Sequence, residues 1–246
     1  MVKNKNPIIS VVVPAYNEEK LIGPCLASLV TQKFDKEYEI VVIDNCSTDK
    51  TAQIAKKYPV KIIKEKNKGV IFAKQCGLLN ANANIVAFLD ADSQASPLWL
   101  KTIYDSLTFS PDIVAVTGPY EVNDGPIFNQ KFAQIYQKFY QSYFFIFGRT
   151  IYLAGGNFAC KKSIAKKFGG FDVTKGVGED EFGILSKLKM QGHVLYEPSL
   201  KIVTSGRRAS GGFIKFCDQF IFGYFFNFLS IRLFGKKLFR DYTDIR

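Results

Sequence analysis

Residues 85–92 read Ile85-Val86-Ala87-Phe88-Leu89-Asp90-Ala91-Asp92, and their order decides the fold. Five apolar residues in a row predict a strand buried on both faces. The chain then turns into two carboxylates one residue apart. Such a D-x-D pair at a strand end can face a hard cation, with diphosphate oxygens completing the shell. Two solvated turn aspartates would look the same in isolation, so the surrounding chain has to decide.

The same pattern recurs upstream. Ile8–Val13 forms an apolar run that ends in Pro14-Ala15-Tyr16-Asn17-Glu18-Glu19. Ile40–Ile43 ends in Asp44-Asn45-Cys46-Ser47-Thr48-Asp49, and Val60–Ile63 is a third short run. Helical spacing separates them: Leu21 to Val30, Thr51 to Tyr58, Gly69 to Asn80, and a helix opened by Pro97 toward Leu107. Ile113–Thr117 follows as a strand. This alternation predicts an α/β fold, a mostly parallel sheet with helices on both faces. Ligands in such sheets bind beyond the carboxyl ends of the strands. Three polar clusters therefore converge on one sheet edge.

Each cluster has a chemical and a plainer reading. Tyr16 offers a ring suited to lining a base pocket. Glu18 and Glu19 also suit the first turn of a helix, where the dipole favours acids. Asp44 stands before the capping residues Ser47, Thr48 and Asp49, which favours a ligand role for it. Farther on, Gly178-Glu179-Asp180-Glu181 crowds three carboxylates at a helix start. Dipole pairing accounts for some of that, but crowding also raises proton affinity, which suits a general base. Ser205-Gly206-Arg207-Arg208 places two guanidinium forks in a loop, suited to phosphate oxygens or to solvent alone.

The second half is more aromatic. Phe128 to Phe147 reads as one long helix stopped by Gly148, and a glycine-rich segment, Gly155-Gly156-Asn157-Phe158, follows. A helix carries Phe182, Leu185 and Leu188, and short strands lie near Val194–Tyr196 and Ile202–Val203. Phe213 to Leu229 repeats apolar residues at helical spacing, and Lys215, Arg232, Lys236, Lys237 and Arg240 flank the apolar run between Asp218 and Arg232. That fits a helix lying in a membrane interface, or one packed on the domain. The expected division is a catalytic domain over 1–210 and a helical tail over 211–246.

Hydrophobic residues make up 47% of the 246, enough for a packed core. The net charge of +11 admits nucleic acid, anionic membrane or phosphorylated substrates. Without an Arg-rich arm, nucleic acid is not expected. Five cysteines with no C-x-x-C pair argue against zinc and a disulfide framework and for reduced thiols in a cytosolic setting. Met1–Pro7 does not read as a signal peptide.

The ordered set of segments resembles the family 2 inverting glycosyltransferases, which have the GT-A fold. The matching pieces are Val11–Glu18, Val42–Thr51, Asn67-Lys68-Gly69, Phe88–Asp92, Gly155–Phe158, Gly169-Gly170-Phe171-Asp172 and Gly178–Glu181. The resemblance implies that Pro14, Ala15, Tyr16, Glu18 and Lys68 border the nucleotide and that Asp44 reads the base or ribose. It implies that Asp90 and Ala91 hold the donor and that Asp92 holds a divalent cation, Mg2+ or Mn2+. Gly156 and Asn157 would border the donor sugar and acceptor. Asp180 would be the general base with Glu179 as alternative, and Arg207 and Arg208 would meet phosphate or acceptor.

The implied partners are a UDP- or GDP-linked sugar and a glycan or lipid-linked acceptor, at the cytoplasmic face of the plasma membrane. Two features depart from the family pattern. Asn45 stands where many members have a second aspartate, and the Q-x-x-R-W motif of processive synthases is absent, which favours transfer of one sugar. A nucleotidyltransferase would show a glycine-rich basic loop after the first strand. A non-catalytic nucleotide-sugar-binding or membrane scaffold would not need Asp90, Asp92 and Asp180 together.

Overall fold

The computed structural model describes residues 6–151, 153–174 and 179–207, without the side chains of Glu179 and Asp180. The expected helical tail and Arg208 lie outside these residues. The chain runs β1 (Ile9–Ala15), α1 (Ile22–Val30), β2 (Tyr38–Asp44), α2 (Thr51–Ala55), β3 (Lys61–Lys64), α3 (Val70–Asn80) and β4 (Ile85–Leu89). It continues β5 (Ser93–Ala95), α4 (Trp99–Phe109), β6 (Ile113–Thr117), β7 (Tyr120–Val122) and α5 (Ile127–Phe147). The last elements are β8 (Asn157–Lys161), α6 (Lys162–Lys167), α7 (Glu179–Lys189), β9 (His193–Tyr196) and β10 (Ile202–Thr204).

The main sheet has seven strands in the order β3-β2-β1-β4-β8-β6-β9. β1 lies parallel to both β2 and β4, with Ala15 opposite Asp44 and Val12 opposite Phe88. The carboxyl ends of β1, β2 and β4 therefore share one edge, as the polar clusters predicted. β8 is the exception to parallelism, running antiparallel between β4 and β6.

Because β1 is wholly buried, its alternate residues feed two cores. Val11, Val13 and Ala15 join Leu26, Trp99 and Ile103 on the α1 and α4 side. Val12 joins Phe88, Phe158 and Leu185 on the α3 and α7 side. There Phe88 and Phe158 stack at 4.6 Å, and Phe171 meets Phe88 edge-on at 5.3 Å.

Several expectations change. α2 stops at Ala55 rather than Tyr58. Tyr58 precedes Pro59, which disfavours the helical region, and the last turn tightens to Lys57 N–H on Ile54 O and Tyr58 N–H on Ala55 O. Asn157 and Phe158, read as loop, begin β8. A second sheet, β5-β10-β7, was not foreseen: strands of three residues carry no readable period, and β10 joins segments far apart in sequence. α5 ends as expected, with Gly148 left-handed at φ 62° and its N–H on Phe144 O.

Candidate active site

The loops after β1 and β2 are tied together. Asn17 N–H donates to Ser47 Oγ at 3.1 Å, Glu18 N–H to Thr51 Oγ1 at 2.7 Å, and Glu19 N–H to Asp49 Oδ2 at 3.0 Å. Thr48 N–H returns a bond to Asn17 Oδ1 at 2.8 Å. Asn17 and Cys46 both adopt positive φ, 53° and 65°. Such backbone persists where surrounding bonds hold it, and it collects at functional sites. Asp49 is partly buried, which raises its proton affinity. Bonds from Thr51 and from the Glu19 amide outweigh that and hold its carboxyl below the usual range.

Asp44 is buried at the end of β2 and accepts Ser47 N–H at 3.1 Å. The Asn45 side chain works in both directions. Its amide donates to Asn67 O at 2.7 Å and Glu65 O at 3.3 Å, while its carbonyl accepts Gly69 N–H at 2.7 Å. That ties β2 to the Lys68 loop. Lys68 Nζ lies 2.8 Å from the Tyr16 hydroxyl and 4.3 Å from its ring centre. The pair joins the rim of the first loop to the third.

Asp90 and Asp92 leave β4 beside these loops. Gly156 packs so closely on Asp90 that a Cβ there would overlap its carboxylate, and one at Gly155 would overlap that of Glu181. Behind Gly155, Lys74 and Glu181 form an ion pair at 3.7 Å, with Lys74 only 3% exposed. Sequence reasoning passed over Lys74. The signal was its i+3 spacing from Ile71 and i−4 spacing to Leu78, the inward face of α3.

On the far side, Arg207 reaches back from beyond β10. Its Nη1 donates to Glu18 Oε2 at 2.7 Å, and its Nη2 contacts Glu18 Oε1 and lies 3.2 Å from Asp92 Oδ2. Asp92 Oδ1 faces the hydroxyls of Ser93 and Thr204 at 3.4 Å each. The Cys25 thiol lies beneath, 3.6 Å from Asp90 O. Burial, then Asp92, Asp90 and Glu18, push its pKa well up, a direct trace of the acid gathered here.

The donor set fits a hard divalent cation, since Asp92 offers carboxylate oxygen. Among the described residues no group of three His, Cys, Asp or Glu forms a closed cage. A cation at Asp92 would have to displace Arg207 from Oδ2 and draw the rest of its shell from oxygens outside the protein.

The structure thus brings together Tyr16, Glu18, Asp44, Lys68, Asp90, Asp92, Gly156 and Arg207. Pro14, Ala15 and Ala91 are buried, so their side chains support the strand ends. Asn157 is a correction. It is fully buried, and its amide is spent on Trp99 Nε1–H, Pro119 O and Leu200 O at 2.7–2.9 Å. It braces the sheet beneath the site and does not face a ligand. Glu179 and Asp180 open α7; their side chains, like Arg208 and Gly178, lie outside the described residues.

Residues 10–169 match the family model described as Glycosyl transferase family 2. Glycosyltransferase GlyA of Streptococcus pneumoniae is 33% identical over 121 residues, 47% of this chain and 17% of that protein. Probable glycosyltransferase YdaM of Bacillus subtilis is 27% identical over 208 residues, 78% of this chain and 49% of that protein. The chain spans less than half the length of these curated relatives. Mannosyltransferase PcManGT from Pyrobaculum calidifontis, solved with GDP-Man and Mn2+, superposes with a TM-score of 0.63 at 24% identity. The alignment covers 82% of this chain and 58% of that one. Staphylococcus aureus TarS 1-349 with UDP-GlcNAc gives 0.62 at 22% identity over 81% and 58%. At these identities the likeness shows the fold, GT-A.

Proposed function

The chain belongs to glycosyl transferase family 2, and on that premise we propose that it transfers one sugar, with inversion, from a nucleoside diphosphate sugar to an acceptor hydroxyl. The observation that carries this reading is the shared edge of β1, β2 and β4. It puts Asp44 and the Asp90–Asp92 pair on either side of the β1 end, with Arg207 against Asp92. Relatives named for poly(ribitol-phosphate) N-acetylglucosaminyl transfer and chondroitin synthesis support a role in cell-envelope glycan assembly. The solved neighbours with GDP-Man and Mn2+ or UDP-GlcNAc support a nucleotide-sugar donor and a divalent cation.

In this reading Tyr16 and Lys68 border the nucleotide and Asp44 holds the base or ribose. Asp90 orients the donor, and Asp92 would hold Mg2+ or Mn2+. A bound cation would supply positive charge to the departing diphosphate. Asp180, at the start of α7, takes the proton of the acceptor hydroxyl, with Glu179 as the alternative base. The acceptor oxygen bonds to the anomeric carbon as the bond to the diphosphate oxygen breaks, and the diphosphate leaves with the electron pair. Alignment of the two oxygens and charge neutralisation are the protein's main contributions. The catalytic unit is residues 1–210. Residues 211–246 form a basic aromatic tail that contacts the cytoplasmic face of the membrane and serves a lipid-linked acceptor.

Calorimetric titration with UDP and with GDP, each with and without Mn2+, tests the donor site. Metal-dependent binding of one nucleotide, lost in Asp92→Ala, is expected. Binding of neither to folded protein would remove the reading's support.

A further inference from the structure

Helix α5 is built inside out. A surface helix normally turns its apolar stripe to the core and its polar stripe to water. In α5 the buried residues are Asn129, Ala133 and Gln137, spaced four apart. The opposite face carries Ile127, Ile135, Phe139, Phe145 and Ile146, each more than half exposed and up to 72% at Ile146. Single exposed apolar residues need no account, but five on one face of a 21-residue helix, with Lys131 and Lys138 set among them, mark an interaction surface. The inner face mixes polar with aromatic side chains, Asn129 and Gln137 with Phe144, which packs on Tyr196 at 5.9 Å. The Tyr136 and Tyr140 hydroxyls pair at 3.0 Å, and Tyr120, against the same face, has its pKa pushed up to about 12 by burial, with Glu181 adding to it.

We propose that the outward face of α5 docks on an anionic lipid bilayer, lying along its surface. Three observations choose this occupant. First, Lys131 and Lys138 are exposed on the same face, Arg149 follows the helix end, and no acid occurs in Ile127–Phe147. Cations set among aromatic and aliphatic side chains suit an interface of acyl chains below and anionic headgroups above. Second, the competing occupants carry the wrong sign. A second copy seated by two-fold symmetry would bring lysines near lysines in a chain of net charge +11. The tail beyond 210 is also net basic, Lys215, Arg232, Lys236, Lys237, Arg240 and Arg246 against Asp218, Asp241 and Asp244. Third, among the described residues no helix is long and apolar enough to cross a membrane, and the outward face of α5 alternates Ile135 and Phe139 with Lys131 and Lys138, the pattern of a helix lying along an interface.

Docking would also place the site. Asn129 Nδ2 donates to Gly206 O at 3.4 Å, and Asp124, just before the helix, holds Ser205 Oγ at 2.8 Å and the Gly206 amide. Arg207 follows directly. The membrane-facing helix and the loop that closes the donor site are thus one bonded unit, which brings the reaction to the headgroup level, where an acceptor hydroxyl on a lipid carrier lies. The proposal names a surface separate from the tail and does not depend on the donor-site reading.

Co-sedimentation of the full chain with phosphatidylglycerol–phosphatidylcholine vesicles, against phosphatidylcholine alone, tests it. The wild type should bind the anionic vesicles, less so at high salt. Ile135→Asp with Ile146→Asp should weaken binding at least tenfold, as should Lys131→Glu with Lys138→Glu, with the tail intact. All four positions are exposed, so unfolding midpoints and nucleotide titrations should stay at wild-type values. Variants that bind vesicles within twofold of wild type would overturn the proposal. So would a wild type that ignores both vesicles, or one that sediments as a dimer which the same substitutions dissociate.

Discussion

Arg207 and Glu18, 189 residues apart in sequence, meet through a two-pronged ion pair, with Arg207 Nη1 2.7 Å from Glu18 Oε2. The Glu18 side chain is 3% exposed and that of Arg207 36%. The acid has left water and the base keeps one side in it. A carboxylate so placed depends on its partner, because an unpaired buried charge costs far more than the pair returns. The same guanidinium touches Asp92, so the loop after β10 sets one positive charge between two of the acids at the sheet edge.

Removing that partner should therefore be felt twice. Arg207→Met is expected to lower unfolding free energy by about 2 kcal/mol, less than a fully buried pair because the guanidinium keeps one side in solvent. It should also weaken nucleotide binding. Arg207→Lys keeps the charge without the fork and should recover only part of each loss. Urea unfolding and calorimetry report both, and a Met variant as stable as wild type would show the pair to be ornamental.

Asn45 makes a complementary case. Its amide donates to Asn67 O and Glu65 O while its carbonyl accepts from Gly69 N–H. Asn45→Asp leaves two carbonyls facing a carboxylate. A loss of roughly 1–3 kcal/mol in urea unfolding is expected, with nucleotide affinity falling as the Lys68 loop loosens.

Gly156→Ala tests the packing under Asp90. A methyl group at that position meets the carboxylate directly, so the Asp90 side chain must rotate. Nucleotide affinity should fall at least tenfold while the circular dichroism spectrum is unchanged. Wild-type affinity would mean Asp90 does not need this rotamer.

Acid should loosen the joined loops through Asp49. Hydrogen bonding lowers its folded pKa below the ordinary 3.8. A depressed carboxylate adds stability above its unfolded pKa, and that stability is lost as pH falls through the folded value. The stability gap between wild type and Asp49→Ala should be constant from pH 7 to about 5 and shrink below pH 4. A gap that holds at pH 3 would assign Asp49 a role independent of its charge.

The strand ends were legible because the information there is local. A wholly apolar run followed at once by carboxylates, as at Leu89-Asp90 and Ile43-Asp44, declares a buried strand and a ligand edge within eight residues. The alternation of strands and helices then required β1, β2 and β4 to share that edge. Family membership followed from the same short segments in order. Three things were not legible: Lys74 under Glu181, Asn157 spent on Trp99, and Arg207 locked on Glu18. Each depends on which distant strands become neighbours, above all β8 between β4 and β6 and β10 between β5 and β7. Hydrophobic periodicity reports that a face is buried, never what buries it. Hence the aromatic crowding of α5 was plain in the sequence, but only the tertiary structure decided that Ile127, Ile135, Phe139, Phe145 and Ile146 face outward.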